Sequence, residues 1–169
     1  MFNLLWEVLS MKVIVFSDSH GSSANLSKVV KAHQDADMFI HLGDGEREFE
    51  NLVTMYPHLK MYHVAGNCDY NSMHPNELVI NADFNIKIFA THGHRYYVKY
   101  SLDAIKSTAL ENGCQIALYG HTHERFSSYE DGLYIMNPGS ISCPRDNSKP
   151  SYGIIDISKA GILTNIVDV

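Results

Sequence analysis

Seven side chains of metal-ligand type lie in five short loops. They are Asp18 and His20, Asp44, Asn67, His92, and His121 with His123, in the strings Asp18-Ser19-His20-Gly21, Gly43-Asp44-Gly45, Gly66-Asn67-Cys68-Asp69, Thr91-His92-Gly93-His94 and Gly120-His121-Thr122-His123. Carboxylate, imidazole and amide oxygen without thiolate suit a borderline divalent ion, with Mn²⁺ the leading choice and Ni²⁺, Fe²⁺ or Zn²⁺ the alternatives. A catalytic ion usually takes three or four protein ligands and keeps a position open. Seven candidates are therefore too many for one ion and fit two ions that share a carboxylate. Two ions about 3.5–4 Å apart clamp the attacking and leaving oxygens of a phosphoryl displacement. Each residue taken singly is an ordinary polar loop residue, and each Gly-containing string an ordinary turn. The joint pattern, with every member following a hydrophobic run, is what points to a site. Where ligands stand two apart, as in Asp18 and His20 or His121 and His123, an extended backbone would send both side chains to one side.

Glycine adjoins nearly every ligand, at Gly21, Gly43, Gly45, Gly66, Gly93 and Gly120, as sharp turns and close backbone approach require. The runs that position these loops alternate in type. The pattern predicts strands at Lys12–Ser17, Met38–Leu42, Met61–Ala65 and Gln115–Tyr119. Hairpins are expected from Glu77–Asn81 with Ile86–Ala90, Arg125–Tyr129 with Leu133–Asn137, and Tyr152–Ile157 with Ile162–Val167. Helices are expected over Ser22–Ala32 with Leu26, Val29 and Val30 on one face, over Glu46–Met55 with Phe49, Leu52 and Val53 inward, and near Leu102–Glu111. The class is α/β, with two packed mixed sheets and helices outside. Ligand loops at strand ends match the crevice where such sheets carry sites.

The chain has 169 residues, enough for one domain with a sizeable core. Its formal net charge of −6 argues against a large nucleic-acid partner. Cys68, Cys114 and Cys143 are odd in number and form no CxxC pair, which reads as a reduced, cytoplasmic protein and not a disulfide scaffold. Residues 1–10 are apolar but lack a basic leader and are too short to span a membrane. They read as an amino-terminal extension, with a single domain over residues 11–169. The extension and ten tyrosines make a homodimer an open option. His33, His41, His58, His63 and His74 fit no motif and are read as surface, partly buried or packing residues.

The series Asp18-Ser19-His20, Gly43-Asp44, Gly66-Asn67, His92 and Gly120-His121-Thr122-His123 resembles the calcineurin-like metallophosphoesterases. Val13–Gly21, Gly66–Asp69 and the segment Asn137-Pro-Gly-Ser-Ile-Ser followed by Arg145 are similar to the small YfcE-like phosphodiesterases. The resemblance covers nearly all of the chain from Met11 onward. It implies a four-layer α/β/β/α sandwich. It implies that Asp18, His20 and His123 hold one ion, that Asn67, His92 and His121 hold the other, and that Asp44 bridges them. It also implies in-line attack on phosphorus by a hydroxide that the ions share.

Many such relatives carry His directly after the motif Asn; here Cys68 stands there. A thiol of ordinary pKa, about 8.5, is a poor general acid near neutrality, which disfavours esters with poor leaving groups. Asp69 then either orients a neighbouring ligand or caps a turn. Together with Asn67, His94 and Asp69 are the candidates for direct roles in the reaction, His94 either donating to a phosphate oxygen or supporting a ligand. Arg145 either reaches a substrate phosphate, as a guanidinium fork suits, or belongs to a turn that braces the ligand loops. The expected activity is metal-dependent cleavage of a small phosphodiester. The competing readings are a phosphomonoesterase, a nucleotide pyrophosphate hydrolase, and a non-catalytic scaffold protein of the same fold.

Overall fold

The computed structural model describes residues 10–169. The amino-terminal extension therefore lies outside the described residues except for Ser10, which opens the first strand. Ten strands and three α-helices follow one another: β1 (Ser10–Phe16), α1 (Ser23–Ala32), β2 (Met38–His41), α2 (Glu46–Met55), β3 (Met61–His63), β4 (Glu77–Asn81), β5 (Lys87–Thr91), α3 (Asp103–Glu111), β6 (Ile116–Leu118), β7 (Arg125–Glu130), β8 (Leu133–Pro138), β9 (Ser151–Ser158) and β10 (Gly161–Asp168). They build two mixed five-stranded sheets in the orders β10-β9-β1-β2-β3 and β4-β5-β6-β8-β7. In each sheet three neighbouring strands run parallel, β1, β2 and β3 in the first and β5, β6 and β8 in the second.

The core strands are apolar on both faces because both faces are covered. Val13, Val15, Met38 and Ile40 point between the sheets, where they meet Ile88, Ala90, Ile116, Leu118 and Met136. The alternate residues Ile14, Phe16 and Phe39 pack outward against Leu26, Val29 and Val30 of α1 and Leu52 of α2. On the far side Phe89, Ala117 and Ile135 pack against Ile105 and Ala109 of α3. Three apolar interlayers make four layers, the expected α/β/β/α sandwich. The strand period of two sends successive residues to different interlayers, so each ligand loop starts from a strand fixed on both sides.

One expected core position differs. Val53 is 37% exposed, whereas Phe49 and Leu52 are buried. One residue beyond Leu52 turns about 100° around the helix axis, which carries Val53 off the sheet-facing stripe. Among the described residues, no helix is long and apolar enough to cross a membrane.

Candidate functional site

The parallel strands of both sheets deliver their carboxyl ends to one edge of the sandwich. Asp18 and His20 follow β1, Asp44 follows β2, Asn67 follows β3, His92 follows β5, and His121 and His123 follow β6. The backbone there is not extended. Asp18, His20, Asp44, His121 and His123 all have φ between 41° and 70°. The two-apart pairs therefore converge through left-handed turns and not through a shared strand face. Left-handed backbone at a residue with a Cβ costs on the order of 1–3 kcal/mol and persists only where the surroundings impose it.

The surroundings are specific. The Asp18 N–H donates to the Gly43 carbonyl at 3.0 Å and the His20 N–H to the Asp44 carbonyl at 3.0 Å, tying two loops of the first sheet together. Ser140 and Ser142 donate their hydroxyls to the Asp18 carbonyl at 2.8 and 2.9 Å. Asn137 donates to the Gly120 carbonyl and to the Thr122 hydroxyl, both at 2.9 Å. The segment around Asn137 thus braces two ligand loops. Close approach also dictates glycine at Gly66, where a Cβ would stand 2.1 Å from Asp44 Oδ1.

At the centre Asp18 is fully buried. Its Oδ2 accepts the Ser17 hydroxyl at 2.6 Å and the His121 N–H at 3.1 Å. Its Oδ1 is buried with no hydrogen-bond partner among the described residues, and it faces His123 Nε2 at 3.2 Å, His20 Nε2 at 3.8 Å and His92 Nε2 at 4.0 Å. Asp44 Oδ2 lies 3.4 Å from His92 Nε2 and 3.7 Å from His20 Nε2, while its Oδ1 accepts the Cys68 N–H at 2.7 Å. Asn67 Oδ1 is 3.1 Å from His92 Nε2. The ring of His121 meets that of His92 at 5.1 Å. Ligand atoms of Asp18, Asp44 and His92 fall within 4.8 Å of one another, as do those of His20, Asp44 and Cys68.

Two backbone carbonyls orient the imidazoles. His92 Nδ1 is 2.7 Å from the Leu42 carbonyl and His123 Nδ1 is 2.8 Å from the Cys143 carbonyl. A carbonyl only accepts, so both Nδ1 atoms donate and both Nε2 atoms face the cluster. Neither carbonyl was legible beforehand, because a backbone acceptor leaves no residue-type signal.

The residues fit divalent ions by three tests. A buried carboxylate oxygen without a donor is costly in an apolar setting. Fixed imidazole Nε2 atoms aimed at carboxylates match the ordinary metal-ligand arrangement. Electrostatics ask for positive charge as well. Burial pushes the His92 pKa down, but hydrogen bonding to Asp44 and the charges of Asp18 and Asp44 outweigh it and raise it. Burial works to raise the Asp44 pKa, yet His92 and the Cys68 N–H hold it well below the ordinary carboxylate value. His121 is pushed down to about 4 by burial and by the charges of His92 and Lys99, which keeps it neutral, the form a metal ligand would need.

The remaining candidates take different places. Both oxygens of Asp69 are used by backbone: it accepts the N–H groups of Asp44 and Gly66 at 2.8 Å and those of Gly45 and Glu46 at 2.9 Å. His63 Nε2 stands 3.5 Å from it. His63 pairs in register with His41 across β2 and β3, their Nδ1 atoms 3.1 Å apart, and both are buried. His94 packs its ring 5.3 Å from that of His92, and its buried Nδ1 has no partner among the described residues. Burial, with the charges of His92 and Arg95, lowers its pKa. Cys68 is exposed, and desolvation of the thiol together with the Asp44 charge pushes its pKa up to about 11. Arg145 is exposed, and its N–H donates to the His123 carbonyl at 3.0 Å.

Comparisons with known proteins agree with this geometry. Residues 11–160 match the model of the calcineurin-like phosphoesterase superfamily domain. The probable metallophosphoesterase YsnB of Bacillus subtilis is 35% identical over 160 residues, 94% of this chain and 91% of that protein. The phosphodiesterase MJ0936 of Methanocaldococcus jannaschii is 29% identical over 88% of this chain and 95% of its own length. A conserved predicted phosphoesterase of Streptococcus pneumoniae superposes with a TM-score of 0.84 at 29% identity, over 95% of this chain and 90% of that one.

Proposed function

The chain belongs to the calcineurin-like phosphoesterase superfamily, and we propose that it is a metal-dependent phosphodiesterase acting on a small diester. The observation that carries this reading is the buried Asp18 Oδ1, without a hydrogen-bond donor, among the Nε2 atoms of His20, His92 and His123. Asp18, His20 and His123 would hold one divalent ion, Asn67, His92 and His121 a second, and Asp44 would serve both. When bound, such ions lower the pKa of water and neutralise charge on a phosphoryl group in in-line displacement. The chain's own groups do the rest. Leu42 and Cys143 carbonyls fix the tautomers of His92 and His123. Asp69 holds the Asp44 loop through its backbone N–H groups and acts as a positioning residue. His94 and Arg145 border the cluster as donors for phosphoryl oxygens. Cys68, with its thiol held protonated, gives little proton to a leaving group, which favours a diester with a good leaving group over an alkyl monoester. Three free thiols suit a reducing cytoplasm.

The test is to strip the protein of metal and measure hydrolysis of a chromogenic aryl diester and its monoester with and without Mn²⁺, alongside metal content. Restored cleavage, faster on the diester, is the expected result. Faster cleavage of the monoester would turn the reading to a phosphomonoesterase. Metal binding without turnover of either ester would point to a narrow substrate or a missing partner, and neither binding nor turnover would leave the non-catalytic reading in its place.

A further inference from the structure

A cleft of about 510 Å³ opens beside the ligand loops, between the segment 98–102 and the start of β7. It borders the site directly. Thr122, between His121 and His123, is part of its wall, and so is Val98, which packs under Gly93 where a Cβ would meet the Val98 side chain at 2.8 Å. Its lining combines two kinds of surface. Tyr100, 88% exposed, lines it together with Leu102 of the same segment and Phe126 of β7, which gives the cleft an apolar and aromatic component. Lys99 and Arg145 line it as cations. The Lys and Arg ion pairs of the described residues engage Lys12, Lys106, Arg125 and Lys149, and none engages Lys99 or Arg145. The Arg145 backbone N–H donates to the His123 carbonyl at 3.0 Å, which places this residue beside the loop of His121 and His123. Arg125, also in the lining, is occupied by Asp168 at 2.6 Å and by the Lys149 carbonyl at 2.8 Å. Glu124 adds a carboxylate at the rim.

We propose that this cleft receives a nucleoside attached to the reacting phosphate, so that the substrate class is a nucleoside phosphodiester. Planar bases stack on exposed aromatic rings with little dependence on sequence. Cations that no ion pair of the described residues engages, in the lining of a cleft that borders the ligand loops, suit a phosphate held at that border. Glu124, repelled by a second anion, accepts hydrogen bonds from sugar hydroxyls instead. The assignment rests on the phosphodiesterase reading for the phosphate's position, but base recognition is measurable without turnover.

The experiment is isothermal titration of the full-length, Mn²⁺-equilibrated protein with AMP and with ribose 5-phosphate, which carries an anomeric hydroxyl where AMP carries its base. AMP is expected to bind about tenfold more tightly, the scale of one base–aromatic stack. Tyr100→Ala is expected to abolish that difference, and Lys99→Ala to weaken both ligands together. Circular dichroism confirms that each variant is folded, and exposed Tyr100→Phe, which keeps the ring, retains the preference. Equal binding of the two ligands by the wild type, or a preference that survives Tyr100→Ala, overturns the assignment. Hydrolysis of an aryl diester by the same preparation separates the two readings. Selective AMP binding without turnover removes the phosphodiesterase and keeps the cleft. Turnover with no base preference removes the cleft and keeps the phosphodiesterase.

Discussion

The Asp69 carboxylate accepts the backbone N–H of Asp44 at 2.8 Å, so one acidic residue fixes the loop that carries another. The same carboxylate takes the N–H groups of Gly45, Glu46 and Gly66. Burial alone would raise its pKa, but His63 and these N–H groups hold it far below the usual value.

Asp69→Ala leaves four buried-side donors without their acceptor. Hydrogen bonds to charged groups contribute about 1.5–3 kcal/mol each and are not additive, so we expect a loss of about 3 kcal/mol in urea denaturation at pH 7. Metal affinity should fall roughly 10- to 100-fold, as for other groups that support a ligand. The sign with pH follows from the depressed pKa. The stabilisation is fully present above the unfolded value of about 3.9 and is lost as pH falls below it. The difference between wild type and variant should therefore shrink on acidification from pH 5 to pH 3; a difference that grows would reverse the assignment.

His92→Ala removes the imidazole that faces both Asp18 and Asp44. The fold should survive, since the ring lies at a strand end and not within an interlayer. We expect turnover of an aryl diester to fall by about 10²–10³, the scale seen when a group that stabilises transition-state charge is lost. Retention of wild-type rate by a folded variant would remove His92 from the site.

Gly66→Ala places a methyl group 2.1 Å from Asp44 Oδ1. Neither partner can yield without displacing the carboxylate or the β3 loop. Bound metal after dialysis should drop to a small fraction of the wild-type value while circular dichroism stays unchanged. The same substitution at Gly113, which has open space around it but φ of +69°, should cost only stability, about 1 kcal/mol, and no metal.

The exposed thiols should differ in reactivity in the metal-free protein. The Cys68 pKa is pushed up to about 11 by desolvation and by the Asp44 charge. Desolvation also opposes ionisation of Cys143, but hydrogen bonds from Ser142 and Ser140 and the nearby His123 lower its pKa overall. At pH 8 a thiol of that raised pKa is about one part in 10³ thiolate. Mass-spectrometric alkylation should label Cys143 first, and Asp44→Asn should speed labelling of Cys68. Faster labelling of Cys68 in the wild type would contradict the electrostatics described for the Asp44 loop.

Much of this arrangement was legible because strands and their loops announce themselves locally. The strands before Asp18, Asp44, His92 and His121 are short apolar runs ended by glycine-containing strings, and the helix Glu46–Met55 matches its expected bounds. What was not legible depends on contacts far apart in the chain. The carbonyls of Leu42 and Cys143 act as backbone, without regard to side-chain type. The His41–His63 pair arises only from the register of β2 on β3. The left-handed turns at His20 and His123 cannot be inferred from residues that ordinarily avoid them. Val53 went wrong because an apolar residue beside a buried one looks buried until the helix is rotated against its sheet.

The site is divided between the sheets: Asp18, His20, Asp44 and Asn67 come from one, His92, His121 and His123 from the other. No single sheet carries all seven candidate ligands, so the spacing of the two halves is set by the thickness of the apolar layer between them. Met136 lies so close to Gly153 that a Cβ there would stand 2.6 Å from its sulfur, and Val15, Ile40, Ile88 and Leu118 fill the same layer. These hydrocarbon side chains work as a spacer gauge between the two halves of the polar site. Adaptation of such a protein to a different ion is thus open to changes in hydrocarbon side chains deep between the sheets, with every ligand left in place.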